Sequence, residues 1–321
     1  MQQPQTSAPG DQQAMDFGRK LGLSILLAIV IVVAAWLQFQ SNRVASLSTT
    51  AAHMQMSSAD LTRFRADAWY LPADTLLGFV EIPAGPFVMG SDPSIDPVAF
   101  ENEQWSVNSN QGTVDVGAFY IGRYEVTVAQ IHAFVAATHY RIDEAAISGN
   151  PDHPVSNVSW TDALAYSRWL EDQLKQSPHT PTELANRLRD GWRITIPNEV
   201  QWEKAARGSD GRIYPWGNVA SREYANYQNT DTTTVGSFTC PKCAFGLADM
   251  SGNVWELTRS VYQAHSFDLN TRPNLQADAL FVMRGGSFSD PENAVRAAMR
   301  FGIDPGVRRP SIGFRIVLTR D

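Results

Sequence analysis

Phe245 to Thr258 reads FGLADMSGNVWELT, and the rest of the chain can be placed around it. Asp249 and Glu256 put carboxylates on either side of Ser251-Gly252-Asn253, a run of turn formers that lets the backbone reverse sharply. A hard cation such as calcium collects roughly six to eight oxygens from carboxylates, backbone carbonyls and water. Asp249, Glu256 and the carbonyls of Gly252 and Val254 would supply much of that cage. The same residues also suit a plain polar turn ahead of a strand anchored by Trp255, because the spacing is not that of an EF-hand loop.

Further motifs lie on both sides of this stretch. They are GFVEIPAGPFVMGSD (Gly78 to Asp92), YEVTVAQIHAFV (Tyr124 to Val135), HPVSNVSWTDALAYSRWL (His153 to Leu170), RITIPNEVQWEKAARG (Arg193 to Gly208), YPWGN (Tyr214 to Asn218), RGGSF (Arg284 to Phe288) and IGFRIV (Ile312 to Val317). In this order and spacing the sequence resembles the formylglycine-generating enzyme, or sulfatase-modifying factor, family over Leu77 to Arg320. The resemblance implies an α+β, C-type-lectin-like domain with much irregular structure and a structural calcium at Asp249, Gly252, Val254 and Glu256. It also implies a second calcium site, held by a side chain such as Asn226, the Tyr227 carbonyl and a later acid such as Asp231.

The chain has 321 residues and a net charge of -7, with nine Trp, 22 Gly and 18 Pro. This composition fits a globular, loop-rich domain, and the lack of a basic run argues against a nucleic-acid partner. Residues 1–20 are polar and read as a disordered cytoplasmic leader. Leu21 to Phe39 (LGLSILLAIVIVVAAWLQF) is apolar over the length a membrane-crossing helix needs, with Trp36 as interfacial anchor. A cleaved signal peptide is the competing reading, with small residues at Val33-Ala34-Ala35. Arg19 and Lys20 before the span, against Arg43 after it, favour a cytoplasmic N-terminus. That orientation gives a single-pass inner-membrane protein with a stalk over 40–76 and a periplasmic domain over 77–321.

Cys240 and Cys243, the only cysteines, form a CPKC pair. An oxidising compartment favours a short-loop disulfide; free thiols and a redox-active or metal-binding pair are the alternatives. His53, Met54 and Met56 in the stalk are soft donors suited to copper(I), although such a run is usually plain linker.

Within the domain, Phe79 to Ile82 and Phe87 to Met89 alternate like strands paired around Pro83-Ala84-Gly85-Pro86. Pro93 to Gly112 reads as loop, and Val116 to Val126 as a strand. Thr127, Ser159 and Asn198 are placed to cap helices, the last two over Trp160 to Leu174 and Glu199 to Arg207. Thr182 to Leu188 suits a short helix. Val282 to Phe288 and Ile312 to Leu318 read as the closing strands.

In the oxygen-dependent enzymes of the resembled family, two cysteines shortly after the GGS tripeptide bind copper(I) and carry the oxidation of a substrate cysteine. Here Arg284-Gly285-Gly286-Ser287-Phe288 continues as SDPENAVR, and no cysteine follows Cys243. The six histidines include no His-x-x-x-His pair of the kind that holds iron in the family's sulfoxide synthases. Iron or copper on non-cysteine ligands stays open, but no ligand spacing supports it. Ser287 lacks a nucleophile-elbow context. Arg284, Ser287, Asp290, Arg296 and Arg300 are the candidates for gripping a peptide or anionic ligand, the alternative being an internal salt-bridge framework. The sequence is read as an anchored accessory or maturation factor that binds a periplasmic protein. A metal-dependent oxidoreductase and a calcium-stabilised scaffold are the alternatives.

Overall fold

The computed structural model describes residues 75–263 and 279–321. The expected leader, the Leu21–Phe39 span, nearly all of the 40–76 stalk with its His-Met run, and His265 lie outside the described residues. Among the described residues no helix is long and apolar enough to cross a membrane.

Among the described residues two four-stranded sheets and a two-stranded ribbon frame the domain. The first sheet runs in the order β1 (Phe79–Ile82), β4 (Phe119–Gly122), β10 (Val317–Thr319), β5 (Arg193–Thr195), all antiparallel. The second runs β8 (Arg300–Ile303), β7 (Phe281–Arg284), β6 (Trp255–Val261), β9 (Ile312–Gly313), the β6–β9 pair being parallel. The ribbon pairs β2 (Gly85–Gly90) with β3 (Gln111–Val116). Among the described residues four α-helices follow in chain order: α1 (Val128–Thr138), α2 (Trp160–Gln176), α3 (Thr182–Arg189) and α4 (Glu199–Arg207).

The expected pairing of Phe79–Ile82 with Phe87–Met89 is not what forms. β1 pairs with β4 and β2 with β3, so the Pro83–Pro86 segment carries the chain from a sheet to the ribbon. Lys204 on α4 fixes that crossing by donating to the carbonyls of Pro83 (2.7 Å) and Gly85 (2.8 Å). The expected strand over Val116–Val126 breaks at Gly117-Ala118, where the chain leaves the ribbon for the first sheet. The expected closing strand over Ile312–Leu318 likewise splits. Its first part joins β6 and its last part inserts between β4 and β5, with Phe314, Arg315 and Ile316 buried between them.

Thr127, Ser159 and Asn198 each cap a helix in a full capping box. In each, the side chain accepts from the N3 amide while the N3 side chain accepts from the cap amide, satisfying two otherwise orphaned donors. Arg308 reinforces the α2 start by donating to both carboxylate oxygens of Asp162. The main core packs α1, α2 and α3 against both sheets. Trp160 is its hinge, stacked on Phe281 at 4.3 Å and donating its indole N–H to the Thr258 carbonyl at 2.9 Å. Phe134, Tyr166 and Trp169 fill the space between α1 and α2 with mutually tilted rings. A second cluster centres on the fully buried Trp202 of α4, against the ribbon and the first sheet. Burying each of these rings contributes on the order of 1.5–3 kcal/mol.

Candidate functional site

The arginines expected to grip a ligand point inward. Glu199 and Glu203 lie one helical turn apart on the same face of α4, and both are buried. Arg284 donates to Glu199 Oε1 at 3.0 Å, to Glu203 and to the carbonyls of Ala297 and Ala298. Arg300 makes a two-pronged contact with Glu199, at 2.6 and 2.9 Å. Arg296 engages Asp96 at 2.6 Å and both oxygens of Glu103 at 2.7 and 2.5 Å. All three arginines are 0–1% exposed. Carboxylates from α4 and from the 91–110 loop bring the guanidiniums inside, where a charge persists only when paired. These three residues are therefore framework, a correction to the expected ligand-binding role.

Ser287 and Asp290 lie differently. The Gly285-Gly286 turn, with positive φ at both residues, ends β7 and delivers Ser287 to Asp290. Asp290 Oδ2 accepts from the Ser287 amide (2.8 Å), the Ser287 hydroxyl (2.5 Å) and the Trp255 indole N–H (2.8 Å). Asp290 is half-buried, Ser289 is exposed, and Phe301 stands 54% exposed with its ring 6.4 Å from that of Trp255. This leaves a partly open face of one oriented carboxylate and the exposed Phe301 ring, next to a Trp255 ring that is itself buried, fit for contact with a peptide or a small polar ligand.

Behind it lies an acidic centre. Glu256 is held by Arg315, at 2.5 Å from Oε1 and 2.6 Å from Oε2, and Oε2 also accepts from the Trp202 indole at 2.6 Å. With both Oε2 lone pairs used, Glu256 has only Oε1, which already accepts from Arg315, left to offer a further partner. Asp249, the other expected ligand, has positive φ and accepts from the Gly236 amide through Oδ2 at 2.6 Å. Its Oδ1 is buried without a hydrogen-bond partner, as is Oε2 of Glu125. Burial pushes the Asp249 carboxyl up to about 6, and burial followed by the nearby Asp249 charge pushes Glu125 well above the usual carboxylate range. Gly252 sits against Asn226 so closely that a Cβ would fall 2.1 Å from the Asn226 carbonyl oxygen.

The residues expected at a second calcium site are arranged otherwise. Asn226 donates to the Asp231 carbonyl (3.0 Å) and to Asn253 Oδ1 (3.2 Å), while its own oxygen accepts from Asn229 at 3.1 Å. The Asp231 carboxylate is exposed and turns back to the Thr232 amide at 2.8 Å. Tyr227 is buried beside Tyr214 and Trp216. At Asn226 it is the Asp231 backbone carbonyl, not its carboxylate, that arrives.

Cys240 and Cys243 are joined in a disulfide at the edge of that cluster. His153 pairs with the Thr232 hydroxyl at 2.8 Å, and His132, His139 and His179 are exposed. Among the described residues no group of three or more His, Cys, Asp or Glu side chains could hold a metal by itself. Glu125 and Arg315 were not among the expected site residues. Each is a charge set in an apolar run, Tyr124-Glu125-Val126 and Phe314-Arg315-Ile316, and that is the sequence signal for a buried, partnered ion.

Residues 70–320 match the sulfatase-modifying factor enzyme 1-like domain. The chain belongs to this family. It is 30% identical over 315 residues to the formylglycine-generating enzyme of Thermomonospora curvata, covering 76% of this chain and 94% of that one. It is 31% identical over 183 residues to the inactive C-alpha-formylglycine-generating enzyme 2 of Bos taurus, covering 51% of this chain and 50% of that one. Among solved structures, PvdO from Pseudomonas aeruginosa superposes with a TM-score of 0.60 at 24% identity over 75% of this chain and 94% of that one. The mixed α/β fold of the sulfatase-modifying factor family is thus the fold of this chain. The family includes proteins named as active and as inactive, so membership by itself assigns no reaction.

Proposed function

We propose that this chain is a binding member of the sulfatase-modifying factor family, an accessory or maturation factor that holds a protein partner at the Trp255–Asp290–Phe301 face. The observation that carries this reading concerns sulfur. The chain's only two cysteines are tied to each other, and the segment after Gly285-Gly286-Ser287 offers Asp290 in place of any thiol. A carboxylate has no soft donor orbital for copper(I) and cannot exchange with an incoming thiol. An oriented carboxylate beside the exposed Phe301 ring instead provides directional hydrogen bonding and apolar contact, the usual ingredients of an interaction site. The proposal includes the Leu21–Phe39 anchor and a periplasmic domain, supported by the apolar run, the charge flanking it and the disulfide.

The test is capture from the native envelope by the full-length chain in detergent, read by mass spectrometry. Phe301→Ala and Asp290→Asn are expected to lose the captured partner, while Lys175→Ala on the exposed side of α2 retains it. Unchanged capture by both site variants, or aldehyde formation on a cysteine-containing peptide by the purified chain, would overturn the reading.

A further inference from the structure

The Cys240–Cys243 disulfide fastens nothing at a distance. The two residues are three apart, lie in one loop and already share a turn, in which the Cys243 amide donates to the Cys240 carbonyl at 3.2 Å. Cross-links that close the shortest loops stabilise a fold least. Both cysteines are half-buried, and Pro241 and Lys242 between them are exposed, so the bridge lies at the surface. Its setting is cationic. Arg212 fixes the loop by donating to the Lys242 carbonyl at 2.8 Å, but its own charge is met by both oxygens of Asp210. Lys242 has no such partner: its ammonium stands 5.6 Å from the centre of the Tyr224 ring. The chain holds no third cysteine, so thiols released from the bridge have no other sulfur within the molecule to join.

We propose that Cys240 and Cys243 form a thiol–disulfide exchange site whose reaction partner is a pair of thiols on another protein. In the first step a partner thiolate attacks one sulfur of the bridge. A mixed disulfide forms, the Cys240–Cys243 bond breaks, and the second sulfur of this chain leaves as a thiolate and takes up a proton. In the second step the partner's other thiolate attacks the partner sulfur of the mixed disulfide, and the first sulfur of this chain leaves and is protonated. The partner loses two electrons and two protons and ends as a disulfide; this chain gains them and ends as a dithiol. A cation beside a Cys-x-x-Cys pair favours the thiolate form, so Lys242 assists the departure of the sulfur in each step. Both cysteines pack against the cluster of Tyr214, Trp216 and Tyr227, which keeps the two thiols side by side once they are reduced and ready to be bridged again. This inference concerns the 240–243 loop and stands independently of what binds at the Phe301 face.

The experiment uses the full-length chain in detergent, in its disulfide form, without oxygen and with chelator present. The probe is a reduced synthetic peptide with two cysteines; acid quenching, alkylation and mass spectrometry count the thiols on both molecules. The expected result is one peptide disulfide for each chain dithiol, formed without denaturant and at least about tenfold faster than oxidised glutathione at equal concentration oxidises the same peptide. In the reduced chain, alkylation should set in below the ordinary thiol value of about 8.5. Lys242→Glu lies outside the core and is expected to slow the exchange about tenfold and to move that alkylation profile to higher pH, neither of which a purely structural bridge requires. A bridge that survives the reduced peptide until denaturant is added, a Lys242→Glu variant with the wild-type rate and profile, or undiminished peptide oxidation when both cysteines are replaced by serine would overturn the assignment.

Discussion

Arg296→Ala removes a guanidinium that is fully buried and shared by two carboxylates, Asp96 and Glu103. Glu103 is itself fully buried, and among the described residues Arg296 is the cation that holds both its carboxylate oxygens. Breaking a buried ion pair from one side costs about 3–5 kcal/mol, because the charge left behind stays desolvated. With Asp96 also affected, the expected loss is about 4 kcal/mol, a large share of a typical domain's stability. Urea unfolding of the full-length chain, followed by tryptophan fluorescence, should show the midpoint falling by about 2 M at an m-value of about 2 kcal/mol/M. Before global unfolding, the 91–110 loop that Arg296 anchors should become the first site of proteolytic cleavage. Adding Glu103→Gln in an Arg296→Met background removes the stranded charge and should recover part of the loss, a non-additive result. Lys175→Ala, which breaks only the exposed contact to Glu171 on α2, should cost below about 0.5 kcal/mol. A loss under about 1 kcal/mol for Arg296→Ala, or strict additivity in the double variant, would refute the claim that the arginines are internal framework.

Three further outcomes can be measured. Burial raises the Glu203 carboxyl, but Arg284 and Arg207 outweigh it and hold it below the ordinary 4.5. The stability this supplies is complete above 4.5 and is lost as pH falls through the lower folded value, so urea midpoints should decline below about pH 4.5, and less steeply in Glu203→Gln. Gly252→Ala places a Cβ against the Asn226 carbonyl at positive φ, and a thermal melt should show a loss of about 2 kcal/mol or more. Replacing both Cys240 and Cys243 by Ser opens a loop with a sequence separation of only three, so denaturant curves should show a cost of about 2 kcal/mol with the fold kept.

The helices were legible because their signals are local. Thr127, Ser159 and Asn198 each begin a capping box within four residues, and the α4 boundaries expected from sequence are those observed. Strand partners were not legible, because alternation in Phe79–Ile82 reports which face is buried and not which strand lies alongside. The same limit applied to the site. An arginine next to a glycine pair reads equally as a grip on a ligand or as a buried counter-ion. Only the placement of Glu199, Glu203 and Glu103, far away in sequence, decides between them. Ser287 and Asp290 are brought together as neighbours in one turn, whereas Glu125 meets Asp249 only through tertiary packing.

β10 occupies an interior position in its sheet, flanked by β4 and β5, although it is built from residues 317–319. Until those residues leave the ribosome, the two neighbouring strands have no ladder between them and Glu256 has no guanidinium, since Arg315 arrives in the same stretch. Elongation must therefore run through nearly the whole domain before its centre can close, and the emerging polypeptide has to be kept from misassociating throughout.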